Sequence, residues 1–62
     1  MPLTEPLLDV VQASELLNVR ASWLREAVRT RRVPHLKLGK HVRFERAELE
    51  TWARAQRVEA RV

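Results

Sequence analysis

The sequence predicts a mainly α-helical fold with one small β-hairpin, in the order helix, helix, hairpin, helix. Three stretches carry apolar residues at helical spacing, a stretch around the single glycine reads as two short strands, and Val33-Pro34 separates that stretch from the second helix. At 62 residues the chain accommodates one domain with a thin core. A domain of this size buries only about 60% of the surface that its unfolded chain exposes.

The composition argues against several classes of protein. The chain has no cysteine, which excludes disulfides and thiolate metal sites and fits a reducing compartment. Its two histidines, His35 and His41, do not make a metal site. No apolar stretch approaches the roughly 20 residues of a membrane span, and the N-terminus lacks the apolar core of a signal peptide. A thin core also leaves no room for a buried catalytic pocket. We therefore expect a small cytoplasmic protein that is not an enzyme, with no catalytic residue, no metal and no cofactor.

The basic residues are concentrated in the middle of the chain. Residues 1–19 hold three acidic residues and no Lys or Arg, residues 20–46 hold nine basic residues against two glutamates, and residues 47–62 are balanced, which gives the net charge of +4. A segment of charge +7 that follows one of −3 favours a polyanionic ligand over an ordinary solvated surface.

The first helix has recognisable start and stop signals. Asp9 and Gln12 have the spacing of a capping box, so the helix is expected to begin near Val10. Asn18 is a residue type that ends helices in the left-handed conformation. The apolar positions that face the core are Val10, Ala13, Leu16 and Leu17.

The second helix, within residues 20–32, has two complementary faces. The apolar arc consists of Ala21, Leu24, Ala27 and Val28, and the polar, mostly basic arc consists of Ser22, Arg25, Glu26 and Arg29. Only residues 18–20 separate this helix from the first, which forces the pair into a helix-turn-helix arrangement. The second helix of that arrangement is the one that enters the major groove of DNA.

The hairpin over residues 35–44 can be paired in two registers. A two-residue loop of Gly39-Lys40 would pair Leu38 with His41 and Leu36 with Arg43, which mixes apolar and polar residues on one face.

The other register brings the apolar residues of the hairpin to one side. It pairs Leu38 with Val42, Leu36 with Phe44 and Lys37 with Arg43. We expect this second register because it gives the hairpin a single apolar face. It leaves Gly39, Lys40 and His41 as the loop, and it points His35, Lys37 and Arg43 outward.

The third helix completes the domain. Its apolar positions are Ala47, Leu49, Trp52 and Ala53, and Trp52 is the largest side chain available to close the core. We divide the chain into an N-terminal arm over 1–8, a domain over 9–53 and a C-terminal tail over 54–62. Two prolines keep the arm extended, with Leu7 and Leu8 packing back.

The order of these elements resembles the small winged helix-turn-helix domains of the excisionase and MerR-like group. The similarity covers about residues 7–53. Its matching features are Leu16-Leu17-x-Val19, Val33-Pro34, Leu38-Gly39-Lys40, Arg43 and Leu49-x-x-Trp52. The sequence departs from the group at Arg20, where a Ser or Thr cap is usual, at Asn18, where glycine is usual, and at Trp23, where a small hydroxyl residue is common.

The resemblance implies a phage or mobile-element excisionase, also called a recombination directionality factor. Such a protein binds repeated sites beside a recombination attachment region, bends the DNA and contacts an integrase so that excision is favoured. The implied partners are double-stranded DNA, an integrase and other copies of the chain along the DNA. The implied location is the nucleoid of a bacterial host, with no membrane contact. The alternatives are a small transcriptional regulator of the MerR-like type and an adaptor that binds an acidic protein surface.

Nine residues are the predicted contacts with DNA, with helix 2 in the major groove and the hairpin, or wing, at the minor groove or backbone. They are Arg20, Ser22, Arg25, Glu26, Arg29, Lys37, Lys40, His41 and Arg43. Arg25 and Arg29 are the expected groove contacts, and Arg20 is a phosphate clamp at the start of the helix. For Glu26 we favour a salt bridge to Arg29 over a contact with cytosine.

Four further residues near these helices have structural interpretations. Arg31 and Arg32 complement the dipole at the end of helix 2, Trp23 lies at the rim of the core, and Trp52 lies within it.

Overall fold

The computed structural model describes residues 5–60, which form three helices and one antiparallel hairpin. The elements are α1 (Val10–Leu17), α2 (Ala21–Arg29), β1 (Leu36–Leu38), β2 (His41–Arg43) and α3 (Arg46–Ala55). The predicted fold class and element order are confirmed. Residues 1–4 of the expected arm and residues 61–62 of the expected tail lie outside the described residues.

Local side-chain chemistry sets both ends of α1 as expected. The Asp9 carboxylate accepts a hydrogen bond from the backbone amide of Gln12 at 2.8 Å, and the Gln12 side-chain oxygen accepts one from the amide of Asp9 at 3.0 Å. These two bonds form the capping box and satisfy two donors that a helix start otherwise leaves free. Asn18 ends the helix in the left-handed region with φ 56°.

The core is thin and draws on every element except β1. Its fully buried large side chains are Phe44, Leu24 and Leu49. Trp52 is half-buried and packs against this cluster, so it borders the core and does not fill it. Ala47 is exposed, contrary to expectation, because it lies two residues before Leu49 and therefore almost opposite to it on α3.

The hairpin has the register that we had rejected. Leu36 pairs with Arg43, Lys37 with Val42 and Leu38 with His41. Gly39 and Lys40 form the loop, so His41 belongs to β2. Gly39 has φ +63° at the first loop position, where a type II′ turn requires a positive φ and favours glycine.

The register decides which side chains share a face. Lys37 and Val42 lie on one face of the hairpin, and Arg43 lies on the other with its neighbours Leu36, Leu38 and His41, because paired residues point to the same side. The expected pairing of Lys37 with Arg43 is therefore wrong. The single apolar face does not form, because this register points Leu36 and Leu38 to the face opposite Val42.

Phe44 pairs with Leu8 of the preceding arm. The Leu8 amide donates to the Phe44 carbonyl at 2.8 Å, and the Phe44 amide donates to the Leu8 carbonyl at 2.9 Å. Both side chains are buried, so Leu8 packs back on the core as expected. This bridge joins the end of the hairpin to the residue that precedes the Asp9 cap of α1.

Candidate nucleic-acid interface

The polar arc of α2 is exposed along its length. Leu24 and Ala27 are buried against the core, and the opposite side of the helix exposes Ser22, Arg25, Glu26 and Arg29. Arg20 is the N-cap residue, is exposed and makes no side-chain capping bond. The arc therefore presents side chains that the packing of the domain does not use.

Arg29 and Glu26 form the ion pair that the sequence predicts. Arg29 Nε donates to Glu26 Oε2 at 3.0 Å, and Arg29 Nη2 donates to Glu26 Oε1. The hydrogen bonds from Arg29 lower the pKa of Glu26, against a smaller opposing effect of burial, and the charge of Arg32 also lowers this pKa. In return, Glu26 raises the pKa of Arg29. Arg25 makes no ion pair with any residue in the range 5–60, so its guanidinium is the more available of the two.

The hairpin lies against the same side of α2. Arg25, Val28 and Arg29 line a shallow cavity of about 190 Å³ together with Val10 and Val42. Val42 shares its hairpin face with Lys37, as its cross-strand partner. The face of the hairpin that bears Lys37 is thus turned toward Arg25 and Arg29.

Arg43 lies on the opposite face of the hairpin from Lys37. It is half-buried, and its Nη1 donates to the Val42 carbonyl at 2.7 Å. Arg43 is therefore not grouped with Lys37 beside α2, contrary to expectation. Lys40 and His41 are exposed at the tip. His35, expected to point outward, is half-buried with Nδ1 2.9 Å from the Val33 carbonyl oxygen.

Trp23 and Arg32 form a contact that the sequence analysis did not anticipate. The Arg32 guanidinium lies 5.9 Å from the centroid of the Trp23 ring, within the range of a cation–π interaction, and its Nε donates to Thr30 Oγ1 at 2.8 Å. Trp23 is 43% exposed at the edge of the core, as expected. The two side chains border an open groove of about 600 Å³ that also includes Leu17, Val19, Trp52, Ala53 and Gln56.

Leu38 is the residue of the hairpin that sequence reasoning placed most incorrectly. We assigned it to a single apolar face of the hairpin with Leu36, Val42 and Phe44, yet it lies on the opposite face from Val42 and is 52% exposed. The signal that could have located it is the glycine directly after it, because a two-residue turn at Gly39-Lys40 places Leu38 with the exposed His41.

No cluster of three or more metal-ligating side chains occurs in residues 5–60. Within the same range, every helix is too short or too polar to cross a membrane.

The chain matches a known protein family. A family model described as a helix-turn-helix domain matches residues 7–57, which include α1, α2, the hairpin and α3. No curated protein and no solved structure matches the chain significantly. The match implies DNA binding and agrees with the exposed basic arc of α2.

The Glu26–Arg29 pair leads to a testable prediction. In the Arg29→Ala variant, the pKa of Glu26 should rise toward its ordinary value, because the hydrogen bonds that stabilise the charged carboxylate are lost. The measurement is an NMR pH titration of the Glu26 side-chain carbonyl carbon. In the native chain the lowered pKa means that the pair persists above the ordinary pKa of glutamate and is lost as the pH falls through the lowered value.

The matched control for this titration is Arg25→Ala, which removes one positive charge at the residue before Glu26 and leaves the hydrogen bonds between Glu26 and Arg29 in place. It should leave the Glu26 titration nearly unchanged. Equal shifts in both variants would show that general charge, and not the hydrogen-bonded pair, sets the pKa of Glu26.

Proposed function

This chain belongs to the helix-turn-helix domain family, and we propose that it binds double-stranded DNA with α2 in the major groove and the hairpin at the adjacent minor groove or backbone. The observation that carries the proposal is the cavity lined by Arg25, Arg29 and Val42. Because α2 and the hairpin both line this cavity, the polar arc of α2 and the Lys37 face of the hairpin lie on one side of the molecule. A duplex that contacts one can therefore contact the other.

The two arginines of the arc have different roles in this proposal. Arg25 has no ion-pair partner among the described residues, so it can take the O6 and N7 atoms of guanine without breaking an internal contact. Arg29 must either break its hydrogen bonds to the Glu26 carboxylate before it binds DNA, or contact DNA while it remains paired with Glu26. Arg25 is therefore the principal base reader, and Arg29 is the residue that Glu26 orients or restrains.

The remaining predicted contacts act mainly on phosphates. Arg20 stands at the start of α2, where backbone amides point outward, and can bind the phosphate that these amides face. Ser22 in the same turn can donate a hydrogen bond to phosphate or to a base edge. On the hairpin, the contacts with backbone or minor groove come from Lys37, Lys40, His41 and Arg43.

The finer proposal is that the chain is an excisionase, which bends DNA beside an attachment region and directs an integrase toward excision. It is supported by the resemblance of residues 7–53 to that group. Repeated sites beside an attachment region, found by footprinting, would support this role. A single site across a promoter would favour a MerR-like regulator, and failure to bind any duplex would favour the protein adaptor.

The DNA-binding proposal predicts different effects for two single-charge variants. Arg25→Ala should weaken binding to a selected specific site by about 1–3 kcal/mol, and should weaken binding to random duplex much less, because a base contact is lost. Lys40→Ala should weaken both about equally and should reduce the slope of log K against log salt concentration by about 1, because a phosphate contact is lost. Fluorescence anisotropy over a salt series measures both quantities.

Each variant serves as the control for the other, because both remove one positive charge from an exposed side chain. Equal losses on specific and random DNA in both variants would remove α2 as the base-reading element. A salt slope near zero for the native chain would contradict DNA binding through phosphates altogether.

A further inference from the structure

We propose that Leu38 is an apolar wedge at the tip of the hairpin, which inserts between base pairs in the minor groove at a flexible step such as TA. The inference rests on the proposed DNA binding and deepens it. It names the residue that would bend the duplex and the class of step that would accept it.

The first observation is the position of the side chain. Leu38 is the last residue of β1 and directly precedes the Gly39-Lys40 turn, so it lies at the outer end of the hairpin. It is 52% exposed and does not pack on the core. Val42 on the opposite face of the hairpin makes that packing contact instead. The hairpin thus attaches to the domain through Val42, and this attachment leaves Leu38 exposed on the opposite face.

The second observation is that positively charged residues flank Leu38 along the chain, with Lys37 on the opposite face of the hairpin and Lys40 in the turn. Lys37 precedes it and Lys40 follows it across the glycine, and both are exposed. Neither lysine makes an ion pair within the part of the chain that the structure describes. An apolar side chain between two free cations suits a minor groove, because the cations can meet the phosphates on either side while the leucine meets the bases.

The third observation is that the tip is unobstructed. A Cβ atom built on Gly39 would have no atom within 4 Å apart from those of Gly39 and its two chain neighbours, so no other element crowds the turn at that position. Three-residue strands at about 3.3 Å per residue give the hairpin a reach of about 10 Å. The minor groove is about 7.5 Å deep. The hairpin is thus long enough to bring its tip to the floor of the groove.

The chemistry of known minor-groove contacts favours this use of a leucine. Apolar side chains such as leucine unstack a base step and kink the duplex toward the major groove. Pyrimidine–purine steps such as TA unstack most easily, whereas A-tracts are stiff. A wedge at Leu38 therefore gives a preference for sites with TA below the hairpin, without a hydrogen bond to any base.

The test compares two A·T-rich duplexes. The first contains TA steps and carries the fluorescent base 2-aminopurine next to one TA step, and the second contains an uninterrupted A-tract that carries the same fluorescent base. The native chain should raise 2-aminopurine fluorescence and shorten the end-to-end distance, measured by energy transfer between terminal dyes, on the TA duplex only. Leu38→Thr, which suits a strand but removes apolar bulk, should abolish both changes. Its affinity for the TA duplex should fall to that for the A-tract, and Leu38→Met should retain most of the native response.

The matched control is Val11→Thr, which makes a similar change at a side chain that is 55% exposed on α1. It should behave as the native chain does. Native binding without a fluorescence or distance change, or a Leu38→Thr variant that bends DNA normally, would overturn the wedge while leaving DNA binding intact. Failure of the native chain to bind either duplex would instead overturn both the proposed function and the wedge. Circular dichroism of each variant confirms that the fold is retained.

Discussion

The pairing of Leu8 with Phe44 is the contact on which the rest of the structure depends. Two backbone hydrogen bonds, of 2.8 and 2.9 Å, join residues far apart in the chain, and both side chains are buried. Phe44 directly follows β2 and Leu8 directly precedes the Asp9 cap, so the bridge ties the hairpin to the start of α1. Truncating a buried Phe to Ala typically costs about 3–5 kcal/mol, against a total stability of roughly 5–15 kcal/mol for a domain. The exposed Glu5–Arg46 ion pair, at 3.4 Å, adds little by comparison.

This junction also explains how a thin core can present a wide basic surface. The hairpin contacts the domain through Val42 and Phe44, which leaves Lys37, Lys40 and His41 exposed, with Lys37 on the face turned toward α2. On α2 itself, Leu24 and Ala27 make the packing contacts, so the opposite arc is exposed. Within that arc, Glu26 holds Arg29 in a hydrogen-bonded pair while Arg25 has no ion-pair partner among residues 5–60. The fold therefore separates the side chains that stabilise it from those that are available to a ligand.

The sequence predicted the features that depend on local chemistry. The capping box of Asp9 and Gln12, the left-handed Asn18 and the Glu26–Arg29 pair each involve residues within one or two helical turns, and all are present. The hairpin register was predicted wrongly, because grouping the apolar residues ignored the turn that Gly39 favours. The sequence also could not show that the backbone of Phe44 forms hydrogen bonds with the backbone of Leu8, which is distant in the chain. The misplacement of Arg43 and Leu38 follows from that single error. The DNA contacts themselves stay predictions, because they depend on a ligand that is not part of the chain.

The central claim is that α2 and the hairpin form one DNA-binding surface. Its most direct test is NMR mapping of the backbone amide shifts of the isotope-labelled native chain on addition of a DNA duplex. The account predicts one contiguous set of perturbed amides, covering the start and exposed arc of α2 and residues 37–41 of the hairpin, with residues 50–60 little affected. Perturbations confined to α3 and the tail, or to α2 without the hairpin, would contradict the claim that the two elements form one DNA-binding surface.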